Sequence, residues 1–213
     1  MLSSRRNVAL ACALSAVAGY VDGVGFLHLG GMFVSFMSGN STRLGVSLAE
    51  GQWSHAVETA GLIALFVTGA AAGSLLVVGR ARYGQCWVLL TETLLLAAAA
   101  ASYELGLPGL AVVAMVLAMG LENAVFQIHG GAGLGLTYVT GALVKVGQLI
   151  AAAVTGGSRW AWLPNLLLWA ALVTGAVGGA LAYRWINLSA IWFAAGTVLI
   201  LGGMVFAKAK RQD

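Results

Sequence analysis

Apolar residues occur in eight long segments that together take up most of the chain. These segments are 7–28, 32–49, 55–79, 85–103, 108–128, 137–156, 162–183 and 188–206. Because roughly 20 apolar residues cross the hydrocarbon core of a bilayer, segments of this length predict membrane-spanning helices. The pattern therefore predicts an all-α polytopic membrane protein, with no hydrophilic stretch long enough for a second kind of domain.

Two of the eight segments, 32–49 and 137–156, differ from the others, and the first is too polar for a helix that faces lipid. Each follows a double glycine, Gly30-Gly31 in the first case and Gly130-Gly131 in the second. Glycine permits a sharp turn, and irregular backbone at membrane depth persists only when it is buried in protein or lines a watery cavity. We therefore predict that each segment is a glycine-broken or re-entrant helix.

Segments 32–49 and 137–156 belong to an internal repeat. At an offset of one hundred residues, Asp22 matches Glu122 and the two double glycines match each other. After a two-residue insertion the offset is 102. The pattern hydroxyl–aromatic–x–hydroxyl–Gly at 35–39 then matches 137–141, and Arg43 matches Lys145. The agreement of acid with acid and base with base indicates a duplication.

The repeat divides the chain into residues 1–105 and 106–213. The first half is predicted to have spans at 7–28, 55–79 and 85–103 with a broken segment at 30–49. The second half is predicted to have spans at 108–128, 162–183 and 188–206 with a broken segment at 130–156. Six spans make the two three-span halves inverted with respect to each other, whereas eight full crossings would make them parallel.

Charge composition favours the inverted arrangement. Of the 213 residues 60% are hydrophobic and 8% are charged, with 11 Lys and Arg and a mean hydropathy of +0.92. With six spans, most basic residues fall on one side, as the positive-inside rule requires of the cytoplasmic side. These residues are Arg5, Arg6, Arg80, Arg82, Arg159, Lys208, Lys210 and Arg211. The pattern predicts cytoplasmic termini, and the basic residues indicate topology rather than nucleic-acid binding.

Ionisable residues at span depth mark the candidate site, because each is costly to insert and is usually functional. Secondary transporters bind substrate near the midplane, at the interface of their repeats, between broken helices. The predicted substrate- or ion-binding residues are Asp22, Ser35, Ser38, Gly39, Asn40, Arg43, Glu122, Asn123, Thr137, Thr140, Gly141 and Lys145. Asp22 and Glu122 are predicted to bind protons or cations. Arg43 and Lys145 are predicted to attract an anion, together with the backbone N–H groups near Ser38-Gly39 and Thr140-Gly141.

The sequence therefore predicts a small secondary transporter of a small polar or anionic solute. Its partners would be membrane lipid and that solute, and the glycine-lined helix faces leave a homodimer open. A channel and a structural or partner-binding subunit without flux are the alternatives. The structural interpretation of the same charges is a set of salt bridges that lock the halves together, either Asp22–Lys145 with Glu122–Arg43 or the reverse pairings. Glu92, which has no repeat partner, is predicted to be structural.

No catalytic or cofactor motif is present in the sequence. It has no metalloprotease, P-loop, serine-hydrolase or dinucleotide fingerprint. Cys12 and Cys86 lie in apolar segments without metal-binding spacing. We expect no enzymatic activity, no cofactor and no metal site.

The stretch Ala18-Gly19-Tyr20-Val21-Asp22-Gly23-Val24-Gly25-Phe26, followed by Gly31-Met32-Phe33-Val34-Ser35-Phe36-Met37-Ser38-Gly39-Asn40-Ser41, resembles the YoaK-like family of bacterial membrane proteins. The resemblance extends over nearly the whole chain and includes Glu122-Asn123 and Thr140-Gly141, although Ala142 stands where Asn40 stands in the first half. It implies a protein of the bacterial inner membrane, and it implies no substrate because the family has no settled activity.

Overall fold

The computed structural model describes residues 5–78, 83–126 and 139–211, which form helices and no strand. The α-helices in these ranges are α1 (Arg5–His28), α2 (Met37–Ala49), α3 (Trp53–Val77), α4 (Gly84–Glu104), α5 (Pro108–Glu122), α6 (Val139–Val154), α7 (Leu163–Ile186) and α8 (Ile191–Lys210). Two short 3₁₀-helices, Asn123–Phe126 and Asn187–Ala190, follow α5 and α7.

Five candidate membrane spans are found in this part of the chain: Asn7–His28, Trp53–Val77, Gly84–Glu104, Pro108–Phe126 and Leu163–Lys210. The last has 48 residues and contains both α7 and α8. As one straight helix it would be about 72 Å long, more than twice the roughly 30 Å hydrocarbon core. At Asn187 the backbone takes a φ of 50°, which ends α7 and starts a new direction. The prediction of an all-α polytopic membrane protein is confirmed.

The helix ends agree with local sequence signals. Gly30 and Gly31, directly after α1, have φ values of 61° and 100°, a left-handed conformation that L-residues with a side chain rarely adopt. Pro108 begins α5, where its missing N–H is not needed. The predicted segment 32–49 is an irregular stretch followed by the short helix α2. The second double glycine, Gly130-Gly131, lies outside the described residues.

Glycine contacts hold α1 against α7. A Cβ built on Gly175 would be 2.0 Å from the carbonyl oxygen of Ala16, and one on Gly179 would be 2.1 Å from that of Tyr20. The hydroxyl of Ser15 donates a hydrogen bond of 3.0 Å to the carbonyl of Leu168. Residue numbers rise together in these contacts, so α1 and α7 are parallel. Glycine is required here because the two backbones approach too closely for any side chain.

The same kind of contact joins α3 to α5. A Cβ on Gly69 would be 2.3 Å from the carbonyl oxygen of Leu117, and one on Gly73 would be 2.7 Å from that of Leu121. These helices are also parallel. Each parallel pair combines one helix from residues 1–105 with one from residues 106–213.

Helix α4 lies between α5 and α8 and is antiparallel to both. The Gln85 amide donates a hydrogen bond of 2.9 Å to the carbonyl of Val125, beside the end of α5. At the other end of α4, Trp192 Nε1 donates a hydrogen bond of 2.9 Å to Glu104 Oε1. Large buried side chains from these helices form the core, among them Leu89, Leu96, Met115, Met119 and Ile191.

The start of α1 lies beside the end of α8. Asn7 and Leu10 share a cavity of about 320 Å³ with Gln85, Val205 and Lys208. Helix α1 is therefore antiparallel to α8 and runs in the same direction as α4. Taken together, α1, α4 and α7 point one way through the bundle, and α3, α5 and α8 point the other way.

Candidate functional site

The irregular stretch after α1 is anchored to α1 by Asp22. The Asp22 side chain is 9% exposed, and its Oδ1 accepts hydrogen bonds from the backbone N–H groups of Val34 at 2.9 Å and Ser35 at 2.8 Å. Its Oδ2 accepts a hydrogen bond of 2.6 Å from the Ser35 hydroxyl. Backbone amides at membrane depth need such partners because lipid offers none. Asp22 thus holds the stretch inside the bundle, six residues before the end of α1.

Asn40 fixes the same stretch from the other side. Its Oδ1 accepts a hydrogen bond of 3.0 Å from the Phe33 N–H, and its Nδ2 donates one of 2.7 Å to the Phe33 carbonyl. Asn40 is completely buried. At Gly39 a Cβ would be 2.6 Å from the ring of Phe36. Gly39 therefore leaves room for this ring, and Asn40 provides hydrogen-bond partners for the backbone of Phe33.

The segment between α1 and α3, which contains α2, enters and leaves the bundle at the same end. The 13 residues of α2 span about 20 Å, which is too short for the roughly 30 Å hydrocarbon core. Leu29 and Gly30, after α1, share a cavity of about 250 Å³ with Gln52 and His55, at the start of α3. The chain between them therefore dips into the bundle and returns, the geometry of a re-entrant segment.

A larger cavity of about 640 Å³ lies between α1, the anchored stretch, α6 and α7. Its polar side chains in the described part of the chain are Asp22, Ser35 and Thr140. Three aromatic rings also line it: the Phe26 and Phe33 centroids are 4.9 Å apart, and those of Phe33 and Phe36 are 5.1 Å apart. The rest of the wall is aliphatic side chains and glycine: Gly23, Leu27, Val139, Leu143, Leu172, Val173, Ala176, Val177 and Ala180.

The predicted basic residues lie elsewhere. Arg43 lines the smaller cavity, and its guanidinium donates a hydrogen bond of 2.6 Å to the carbonyl of Gly31. Lys145 is exposed on α6. Neither Asp22–Lys145 nor Glu122–Arg43 is an ion pair in this structure, because Asp22 binds backbone amides and Glu122 is enclosed in the core. In the described ranges the only ion pair is between His55 and Glu58, at 3.6 Å.

The remaining predicted residues are spread over three places. Ser38 is exposed on α2, and the N–H of Gly39 donates to the Phe36 carbonyl at 3.1 Å, so that amide is not available to an anion. Asn123 begins the first 3₁₀-helix and donates a hydrogen bond of 2.9 Å to the carbonyl of Met119. Gly141 lies one residue beyond Thr140 in the first turn of α6. Thr137 lies outside the described residues.

Glu92 and Glu122 form a buried acidic pair that the sequence analysis did not assemble. Both side chains are 0% exposed, and none of their four carboxylate oxygens has a hydrogen-bond partner in the part of the chain that the structure describes. Glu92 lies within electrostatic range of Glu122, which lies within range of Asp22. A buried polar group without a partner is rare and calls for a functional explanation.

Glu92 has one sequence signal that points to a role: it is an acid in the middle of an apolar helix. The repeat pattern could not identify it because the second half has no acid at the equivalent place. No group of three or more His, Cys, Asp or Glu residues in the described ranges is arranged to hold a metal ion.

Comparison with known proteins agrees with the membrane assignment. The family profile described as "Protein of unknown function (DUF1275)" matches residues 10–204. A UPF0700 transmembrane protein of Rhizobium meliloti (strain 1021) is 35% identical over 169 residues, which cover 79% of this chain and 72% of the relative. No solved structure matches the chain at a significant level. The family resemblance noted from the motifs around Asp22 and Asn40 is confirmed.

Proposed function

The chain belongs to the DUF1275 family and is a multi-pass membrane protein, and from this premise we propose that it is a small secondary transporter. The cavity of about 640 Å³ carries the proposal. It lies where residues 1–105 meet residues 106–213, beside a re-entrant segment, which is the place where secondary transporters bind their solutes. Asp22 both lines this cavity and holds the backbone of the re-entrant stretch. Solute that binds in the cavity therefore contacts a residue that anchors the broken segment.

Helix directions support an inverted repeat as the basis of transport. The repeat pairs α1 with α5, α3 with α7 and α4 with α8, and the two members of each pair run in opposite directions. Exchange of the halves also converts the α1–α7 contact into the α5–α3 contact, and both contacts are parallel and lined by glycine. Halves related in this way exchange conformations when a carrier alternates access to its site.

The wall of the cavity favours a cationic or neutral solute with an apolar part. In the described residues it includes one carboxylate, two hydroxyls and three aromatic rings, and no Lys or Arg. Aromatic faces and a carboxylate attract organic cations. An anion was predicted from Arg43 and Lys145, but neither lines this cavity. We therefore propose an amphiphilic ammonium-type or neutral solute rather than an anion.

We also propose that both termini face the cytoplasm of a bacterial inner membrane. The start of α1 and the end of α8 lie at the same end of the bundle, and that end includes Lys208. Basic residues at both chain ends favour the cytoplasmic side. A cysteine-accessibility assay on each terminus in intact cells tests this orientation. Labelling of either terminus from outside contradicts it.

Binding and flux separate the carrier from its alternatives. Purified protein is screened by thermal shift against quaternary ammonium ions, neutral amphiphiles and carboxylates of similar size, and any hit is tested for counterflow in proteoliposomes. We expect an ammonium or neutral compound to stabilise the protein, and Asp22→Asn and Thr140→Ala to weaken that effect. Ser41→Ala, a substitution at an exposed residue that does not line the cavity, is the matched control. Steady ionic current without counterflow indicates a channel. Binding that is unchanged in Asp22→Asn contradicts the proposed solute site.

A further inference from the structure

Glu92 and Glu122 are buried acidic residues that the proposed solute site does not explain. Each lies on a different helix of the core, Glu92 near the middle of α4 and Glu122 at the end of α5. Gln85 and Val125 are hydrogen-bonded neighbours, which fixes the register of the two antiparallel helices. Counted from that bond, Glu92 and Glu122 differ in height by about one helical turn, or roughly 5 Å. The two carboxyl groups thus face a common region of the core.

No base neutralises this pair in the described ranges. Of the elements packed against α4 and α5, α8 has its basic residues, Lys208 and Lys210, in its last turn. Lys208 shares a cavity with Gln85 at the N-terminal end of α4, and neither lysine forms an ion pair with Glu92 or Glu122. Helix α3 has His55 and Glu58 in its first turns, at the opposite end of the bundle from Glu122. The remaining titratable groups of these elements lie near the ends of α4: Tyr83, Cys86, Tyr103 and Glu104. Helix α1, which also touches α5, begins with Arg5 and Arg6, and its later titratable residues are Cys12, Tyr20, Asp22 and His28.

An ionised carboxylate that is buried without a partner is unfavourable, and such a group takes up a proton instead. A charged acid at the centre of a membrane helix is costly on every insertion scale. A second carboxylate within electrostatic range makes simultaneous ionisation still less favourable. Burial and the absence of a base therefore require that the pair holds at least one proton in this conformation.

We propose that Glu92 and Glu122 form the site that holds the coupling proton of this transporter. The inference rests on the proposed transport function. Asp22 lines the solute cavity and lies within electrostatic range of Glu122, so the three acids connect the cavity with the core. A proton from hydronium in the cavity forms an O–H bond on a carboxylate oxygen and leaves water behind. When the pair later opens to water on the other side, that O–H bond breaks and hydronium forms again.

Infrared spectroscopy tests the protonation state without any solute. We expect the wild-type protein at neutral pH to have the C=O stretching band of a protonated carboxylic acid. The double variant Glu92→Gln/Glu122→Gln should abolish this band, whereas each single variant should shift or reduce it. Glu104→Gln is the matched control, because it makes the same change on α4 at an exposed residue. If the wild-type protein has no such band, or if the double variant keeps it unchanged, the proposal is wrong.

Proton movement is tested in liposomes that contain a pH-sensitive dye, with an inside-negative potential as the driving force. Acidification should exceed that of empty liposomes for the wild type and for Glu104→Gln, and it should fall to the empty-liposome rate for Glu92→Gln and Glu122→Gln. Glu92→Asp, which keeps a titratable group, should retain part of the flux. Thermal midpoints and elution profiles identify variants that merely misfold.

The two proposals fail separately. Solute binding and counterflow are measured without a pH gradient, so they test the carrier alone. If solute flux is the same in the wild type and in Glu92→Gln and Glu122→Gln, the proposed solute site stands and the proposed proton site is wrong. An infrared band that is accompanied by no proton flux above that of empty liposomes means that the pair is static, and it also overturns the proposal.

Discussion

The close contact between α1 and α7 predicts a large difference between two neighbouring glycines, Gly178 and Gly179. A Cβ on Gly179 would lie 2.1 Å from the Tyr20 carbonyl oxygen, whereas real Cβ atoms stay beyond about 3.0 Å. A Cβ on Gly178 would lie 3.7 Å from the Tyr20 ring, which is ordinary contact. Gly179→Ala therefore forces the helices apart by about 1 Å, whereas Gly178→Ala forces no movement.

The magnitude follows from two opposing effects. An Ala in place of Gly in a helix stabilises by roughly 0.5–1 kcal/mol, and both variants gain this. A gap of 0.5–1 Å forfeits about a quarter to a half of the dispersion energy of the contacts it opens. Such overpacking costs typically about 1–3 kcal/mol. We expect Gly178→Ala to be neutral or stabilising, and Gly179→Ala to be less stable than Gly178→Ala by about 1–3 kcal/mol.

Reversible unfolding in mixed micelles, monitored by circular dichroism, measures the free energy of unfolding of both variants. Equal free energies for the two would refute the close approach of α1 and α7. A second comparison uses the other parallel pair, where a Cβ on Gly73 would lie 2.7 Å from the Leu121 carbonyl oxygen. Because this overlap is smaller, Gly73→Ala should cost less than Gly179→Ala.

The anchored stretch gives two further predictions. Asp22→Ala leaves buried N–H groups at Val34 and Ser35 without an acceptor, so it should lower the free energy of unfolding by about 2–5 kcal/mol in a chemical unfolding titration, whereas Asp22→Asn, which keeps one acceptor, should cost less. If the Ala and Asn variants are equally stable, the anchoring role is contradicted. Asn40→Ala removes both bonds to Phe33 and should lower the thermal midpoint clearly, while Ser41→Ala, at its exposed neighbour, should leave the midpoint nearly unchanged; similar midpoints would count against the role of Asn40.

Much of the fold could be predicted from the sequence because length and polarity decide where a chain crosses a bilayer. The predicted spans 55–79 and 85–103 correspond to Trp53–Val77 and Gly84–Glu104. The first interruption was also recognisable, because Gly30-Gly31 and the polar residues that follow are unsuited to a lipid-facing helix. The motif around Asp22 and Asn40 was predicted to bind solute. In the structure these side chains also hold the backbone of the stretch after α1, and solute binding stays a prediction.

The partners of the polar residues were decided by tertiary structure alone. The sequence pairs acids with bases by charge, which suggested Asp22 with Lys145 and Glu122 with Arg43. In the folded chain, backbone amides at membrane depth need acceptors, so Asp22 binds Val34 and Ser35 instead. Arg43 likewise binds the carbonyl of Gly31.

By itself, the sequence determined that this chain crosses the membrane several times, where its first polar interruption lies and which residue types that interruption contains. These properties depend on local composition, because the hydrocarbon core of the bilayer accepts segments that are long and apolar enough to cross it. Only the tertiary structure decided which helices are neighbours. It brought Glu92 within range of Glu122 and placed Thr140 in one cavity with Asp22. Such contacts depend on the order in which helices pack, and periodicity along a single helix contains no information about its neighbour.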